Sequence, residues 1–475
     1  MVFSSLTFLI FFLPVVLALY YCIPSRWRGG RNTFLLIASL VFYAFSGVQF
    51  ILLILAVIIT VYLCGLLCGL PSFKGRKSIR KLGLVLGIVI CLSLLGYFKY
   101  AGFFTENLNA LGLPVPILEV TLPIGISFYT FQGLSYIIDV YRGDAPVQKN
   151  PLNVALYVAL FPQLVAGPIV RYTTIADEIG NRHENLEDFS AGFTRFCFGL
   201  GKKMLLANPM AEIVDDIFAF EAAELSAGVA WVGAVAVPLQ IYFDFSAYSD
   251  MAIGLGRMFG FHFLENFNYP LTSKSLTEFL SRWHISLGSW FRDYLYIPLG
   301  GSRCSTWKHI RNLAVVWLLT GLWHGAAWTY IFWGIWSLCF LLGEKYIWGK
   351  PLKKLPSFIR WIYAMLVVIL GDVFFRSPDL GYAFSYFASL LGFGSGVQSS
   401  AAVYYLLEYW PEWLCAIVAC LPIKNWLQSS LEKHPNALSN VLLTWAPKLI
   451  ALVLLGLSYM KLVSGSFNPF VYFQF

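Results

Sequence analysis

Residues 312–328 read Asn312-Leu313-Ala314-Val315-Val316-Trp317-Leu318-Leu319-Thr320-Gly321-Leu322-Trp323-His324-Gly325-Ala326-Ala327-Trp328. The run is apolar apart from one histidine and a few small polar residues, and the basic residues Arg303, Lys308 and Arg311 stand just before it. That is the pattern of a helix entering a bilayer from its cytoplasmic side. From Arg311 to His324 such a helix rises roughly 20 Å at about 1.5 Å per residue, which carries the imidazole past the bilayer midplane.

The surrounding chain has the same character. Of 475 residues, 58% are hydrophobic and 12% charged, and the mean hydropathy is +0.69. Soluble domains carry about 25% charged residues, so this surface faces lipid. Apolar runs fall near 2–22, 33–46, 48–70, 82–98, 120–138, 152–170, 225–243, 312–323, 326–346, 359–375, 403–421 and 441–463. About eleven of them are expected to cross, the short or Gly/Pro-interrupted ones being re-entrant or buried. The expected fold is all-α: one polytopic membrane domain over residues 1–475, with an interfacial amphipathic helix in 181–220.

Charge supplies orientation. Arg26, Arg28 and Arg31 follow the first run, and Lys74, Arg76, Lys77, Arg80 and Lys81 follow the third. Both loops are expected to be cytoplasmic, which makes 33–70 a hairpin turned at Phe45-Ser46-Gly47. The net charge of +8 is spread over such clusters and not along one face, which argues against nucleic acid as a partner. The nine cysteines show no paired metal-ligand spacing and no disulfide framework. No basic residue precedes the first run and no small-residue cleavage site follows it, so it reads as a retained helix and not a signal peptide. A Walker A loop, a His-Glu-x-x-His motif and a dinucleotide fingerprint are absent from the sequence.

Of six histidines, at 183, 262, 284, 309, 324 and 434, His324 alone lies deep in apolar sequence. An ionisable group at that depth is costly and is expected to face a bundle interior or a watered passage. Gly321 and Gly325 beside it leave room for another backbone or an extended substrate. Imidazole titrates near working pH and suits removal of a hydroxyl proton during acyl transfer. A structural histidine bonded to a neighbouring helix satisfies the same pattern.

Three further groups carry polar residues into apolar surroundings. Glu278-Phe279-Leu280-Ser281-Arg282-Trp283-His284-Ile285-Ser286-Leu287 is too polar to span lipid and fits a bundle mouth, where Arg282 and Arg292 would meet an anionic donor, or an aromatic belt with solvated charges. Tyr242-Phe243-Asp244-Phe245-Ser246-Ala247-Tyr248-Ser249-Asp250 ends an apolar run, and its two carboxylates need partners, with Arg257, Arg282 and Arg292 as candidates. The broken runs holding Gln132 and Gln163 line a cavity or supply hydrogen bonds between helices.

Taken in order, the run from Pro123 to Gln132, Phe161-Pro162-Gln163 with Ala166-Gly167-Pro168, the 244–254 segment, Arg282-Trp283-His284-Ile285-Ser286-Leu287 and Leu322-Trp323-His324-Gly325 closely resemble the membrane-bound O-acyltransferase family, over essentially the whole chain to Phe475. Ser281 departs locally from the basic residue expected before Arg282. Within the family the likeness is to the branch that O-acetylates extracytoplasmic polysaccharides such as alginate. The resemblance implies a multi-pass protein of the bacterial inner, or cytoplasmic, membrane that moves an acetyl group from a cytoplasmic thioester, acetyl-CoA or an acyl carrier, toward an extracytoplasmic polysaccharide. It implies no bound cofactor or metal, His324 as general base, His284 as the second polar position, and Arg282, Trp283, Asp244, Ser246, Tyr248, Asp250, Gln132, Gln163 and Trp323 as substrate-side residues. It also implies an extracytoplasmic acetyltransferase as partner. The basic 303–311 loop would suit a small acidic carrier protein, as in D-alanyl transfer to teichoic acid, against which the longer chain argues, and broken helices with membrane acids suit a transporter or flippase, against which the missing internal repeat and the solitary deep histidine argue.

Overall fold

The computed structural model describes residues 1–73, 75–396, 399–433, 435 and 437–465. Lys74, His434 and the chain end at Phe475 lie outside the described residues. Among the described residues every regular element is helical. Phe50–Gly69, Lys77–Ala110, Ala227–Met258, Ser357–Arg376 and the helix ending at Val463 are long and apolar enough to cross a membrane, and the bent pair Trp410–Ala419 and Ile423–Lys433 makes a sixth span if counted as one. The chain groups into two compact units, residues 1–196 with 249–264, and residues 197–248 with 265–475.

In the first unit the hairpin anticipated at Phe45-Ser46-Gly47 forms between Arg28–Ala44 and Phe50–Gly69, with Gly47 at φ +144°. Small residues let its helices touch: a Cβ on Gly133 would stand 2.5 Å from Val61, and one on Gly87 2.7 Å from Ile137. Phe3, Phe8, Phe42 and Phe161 pack at tilted angles into a buried aromatic cluster. The run 120–138 is broken as its Pro and Gly suggest: the helix Ile126–Arg142 starts only after Gly125, at φ +76°. The run 152–170 is not one helix but Pro151–Ala159 and Phe161–Leu164. Within the first unit the nearly buried Glu184 side chain collects Tyr20, Arg28, Arg31 and Arg182. Burial alone pushes the Glu184 carboxyl up; hydrogen bonds from Arg28 and Tyr20 outweigh it and hold the group at about 2.

The segment 181–220 is not one continuous helix. It forms Leu186–Lys202, a π-turn Lys203–Ala207 and Asn208–Phe218, with Phe196, Leu200, Lys203, Met204 and Met210 buried. Gly192 allows the reason: a Cβ there would meet the Gly254 carbonyl oxygen at 2.5 Å, so this helix lies directly against Ala227–Met258. Part of the amphipathic pattern thus records packing against a neighbouring helix.

The second unit is built on Thr306–His324, Trp328–Tyr346 and Ser357–Arg376, with the short helices Leu276–Arg282 and Ile285–Phe291. Trp336 Nε1 donates to the Val367 carbonyl at 2.9 Å, tying two of the long helices together.

Candidate functional site

The histidine at 324 is the last residue of its helix. Chain direction reverses at once, through extended backbone at Gly325 and Ala327, into Trp328–Tyr346. The two helices press together because glycines face carbonyls. A Cβ on Gly321 would stand 2.4 Å from the Tyr330 oxygen, and one on Gly334 2.5 Å from the Trp317 oxygen. The imidazole is buried among aromatic edges: ring centroids of Trp323, Trp333 and Phe375 lie 5.1, 5.2 and 5.3 Å away.

His284 reaches the same place from a kink. It sits between Leu276–Arg282 and Ile285–Phe291 in left-handed backbone, φ 42° and ψ 54°, a conformation rare for a side-chain-bearing residue and common at functional sites. Phe245 packs edge-on against its ring at 4.5 Å, and Trp323 at 5.9 Å, so Trp323 contacts both imidazoles. The Nδ1 atom is 3.2 Å from Asn266 Oδ1.

Both histidines line one cavity of about 160 Å³. Leu313, Val316, Trp317 and Thr320 form its wall along the His324 helix, and Trp283, Arg292, Tyr296 and Trp333 complete it. An engineered apolar cavity of about 150 Å³ holds a benzene molecule, so this one has the size for a small, slender group. The polar residues among those that line it are few: His284, His324, Arg292, Tyr296 and Thr320, beside the indoles of Trp283, Trp317 and Trp333.

The other anticipated residues are distributed. Asp244, Ser246 and Tyr248 are buried in the second unit. Asp244 pairs with Lys203, Nζ to Oδ1 2.6 Å, and Asp250 in the first unit pairs with Arg195 at 2.7 Å. The partners expected for these carboxylates are thus corrected. Arg257 faces Asp188, Arg282 pairs with Glu278 at 2.7 Å, and Arg292 with Asp293 at 2.7 Å. Arg282 also donates to Thr272 and does not line the cavity. Gln132 and Gln163 are buried in the first unit, where Gln163 Nε2 donates to the Tyr157 carbonyl at 2.5 Å. Sequence reasoning missed Asn266, Lys203 and Phe245. Two asparagines ahead of Pro270 mark 265–270 as turn chemistry, a signal that could have drawn attention to Asn266.

A family profile described as MBOAT, membrane-bound O-acyltransferase family, matches residues 145–366. The chain is 42% identical over 512 aligned positions to the probable alginate O-acetylase AlgI of Azotobacter vinelandii, covering all of both chains. It is 39% identical to the protein of the same name from Pseudomonas aeruginosa, again over the full length of both. The peptidoglycan O-acetyltransferase of Helicobacter pylori is 29% identical across all of this chain and 98% of that one.

Proposed function

The chain belongs to the membrane-bound O-acyltransferase family, and from that premise we propose that it carries acetyl from a cytoplasmic thioester, acetyl-CoA in the first instance, across the membrane for O-acetylation of an extracytoplasmic polysaccharide. It is an acyltransferase with polysaccharide-modifying relatives. In this reading the protein sits in the bacterial inner membrane, takes acetyl from a thioester, works with an extracytoplasmic transferase, and uses His324 as general base with His284 beside it.

One observation carries the reading: two buried histidines share a single narrow cavity whose wall follows the helix that ends in His324. That helix begins beside Arg303, Lys308 and Arg311, and Lys350, Lys353 and Lys354 precede Ser357–Arg376, which supports a cytoplasmic start for both. His324 then stands roughly 27 Å from the first residue of its helix at about 1.5 Å per residue. About eleven crossings follow if Thr7–Cys22, Arg28–Ala44, Ile126–Arg142, Thr306–His324 and Trp328–Tyr346 join the six apolar spans.

The chemistry asked of the protein is modest. The acceptor hydroxyl oxygen attacks the thioester carbonyl carbon, the C–S bond breaks, and the sulfur leaves with the electron pair. The hydroxyl proton passes to His324 and from there to the departing thiolate, which yields ester and free thiol. A thioester is already activated, so holding the reactants in line and accepting one proton account for the catalysis.

The test is acetyl transfer from radiolabelled acetyl-CoA in inverted membrane vesicles, with the extracytoplasmic transferase supplied, comparing wild type with His324→Ala at matched expression and matched elution in detergent. Loss of transfer is expected. Undiminished transfer would sink the general-base role, and transfer only from an acylated carrier protein would move the donor to the D-alanyl type.

A further inference from the structure

The contacts of Asn266 determine which nitrogen of His284 carries the hydrogen. Ser286 backbone N–H, which can only donate, points at the Asn266 side chain with 3.1 Å between heavy atoms. The atom it meets is therefore the carbonyl Oδ1 and not the amide nitrogen. The Ser286 hydroxyl donates to the same oxygen at 2.9 Å. His284 Nδ1 lies 3.2 Å from that oxygen and 3.4 Å from the Ser286 Oγ, whose hydrogen goes to the nearer carbonyl and which therefore also turns a lone pair toward Nδ1. A carbonyl oxygen only accepts, so a bare Nδ1 there would set two lone pairs against each other. Neutral His284 is consequently the Nδ1–H tautomer, and Nε2 bears the lone pair.

Asn266 also holds the kink. Its backbone oxygen accepts from Ile285 N–H at 2.9 Å while its side chain accepts from Ser286 N–H. The two amides that follow the left-handed residue are thus both fastened by this one asparagine, which keeps His284 in a backbone conformation it would otherwise leave.

We propose that Asn266 is a positioning residue that holds His284 as an Nδ1–H imidazole, so that His284 offers the reaction cavity an acceptor for the attacking hydroxyl and not a donor for the thioester carbonyl. This rests on the reading of the His284–His324 cavity as the reaction centre. It gives the two histidines different tasks: His284 orients the hydroxyl, and His324 takes its proton.

The experiment has a spectroscopic arm and a kinetic arm. In protein labelled with ¹⁵N-histidine and held in nanodiscs, the signal lost in His284→Asn is expected to show a protonated Nδ1 and a bare Nε2. The isosteric Asn266→Asp places a carboxylate against Nδ1–H and stabilises the imidazolium, so the acidic limb of kcat/KM is expected to move up by about one pH unit. Asn266→Ala is expected to lower kcat roughly ten- to a hundredfold with KM for acetyl-CoA unchanged. A protonated Nε2 in the wild type, or an Asn266→Asp profile that overlays the wild type, overturns the proposal. Failure of the underlying reading looks different, because His324→Ala would then retain transfer, whereas a dead His324→Ala beside an unshifted Asn266→Asp removes the positioning role alone.

Discussion

Lys203 and Asp244 form an ion pair inside the second unit, Nζ to Oδ1 2.6 Å, with side-chain exposures of 3% and 2%. Lys203 opens the π-turn that joins Leu186–Lys202 to Asn208–Phe218, and Asp244 lies in the long Ala227–Met258 helix. Withdrawing two charges from water costs several kcal/mol per ion, and removing only one partner leaves the other uncompensated. Lys203→Met is therefore expected to destabilise the protein by roughly 3–5 kcal/mol. Lys203→Met with Asp244→Leu is expected to recover most of that loss. Apparent unfolding temperatures of the purified proteins check this, and single variants as stable as the wild type would show that the pair contributes nothing.

The glycine at 321 gives a second prediction. A methyl group there would be 2.4 Å from the Tyr330 carbonyl oxygen, which is backbone and has no rotamer to give way. Gly321→Ala is expected to separate the paired helices, cost about 1–3 kcal/mol and lower acyl transfer, since His324 lies three residues farther along the same helix. Gly180→Ala is the comparison: nothing lies within 4 Å of its Cβ. Equal stability and activity of the two variants would contradict the close packing.

How far these features could be read beforehand depended on their range. The His324 helix was legible because it follows from one unbroken apolar run, and that run lies in one helix from Thr306 to His324. The hairpin at Gly47 and the break at Gly125 were legible because proline and glycine act locally. The partner of Asp244 was not. Three arginines were plausible, and the choice of Lys203 depends on how two helices lie side by side, which no local pattern encodes. Asn266 was hidden for the same reason, since its importance comes from meeting the two amides after a left-handed His284.

Acid should act through Glu184 in the first unit. Its carboxyl is held at about 2 against an ordinary 4.5, so its folded form is the stronger acid. The stability this contributes is fully present above about 4.5 and drains away as pH falls toward 2. Glu184→Gln lacks the component. The wild-type advantage in unfolding temperature over Glu184→Gln is expected to be largest near neutrality and to shrink steadily below about pH 4.5. A gap that is constant from neutrality to pH 3 would show that the arginines around Glu184 do not hold its charge.

The strongest constraint on the reaction centre comes from losing both histidines together. If His284 orients the hydroxyl and His324 accepts its proton, each acts only on a complex the other has helped assemble. Removing either then forfeits most of the same transition-state stabilisation, as happens for catalytic groups that work as a unit. His284→Ala and His324→Ala are each expected to lower acyl transfer by at least about a hundredfold, the scale of positioned acid–base catalysis. The double variant is expected to be no more than a few-fold worse than His324→Ala alone. Independent roles would instead multiply the two losses. A packing role for His284 would show as lost stability with turnover per folded molecule intact, so the comparison is made per mole of monodisperse protein. Multiplied losses would show that the two rings act independently, and would overturn the division of labour in which each works on a complex the other has helped assemble.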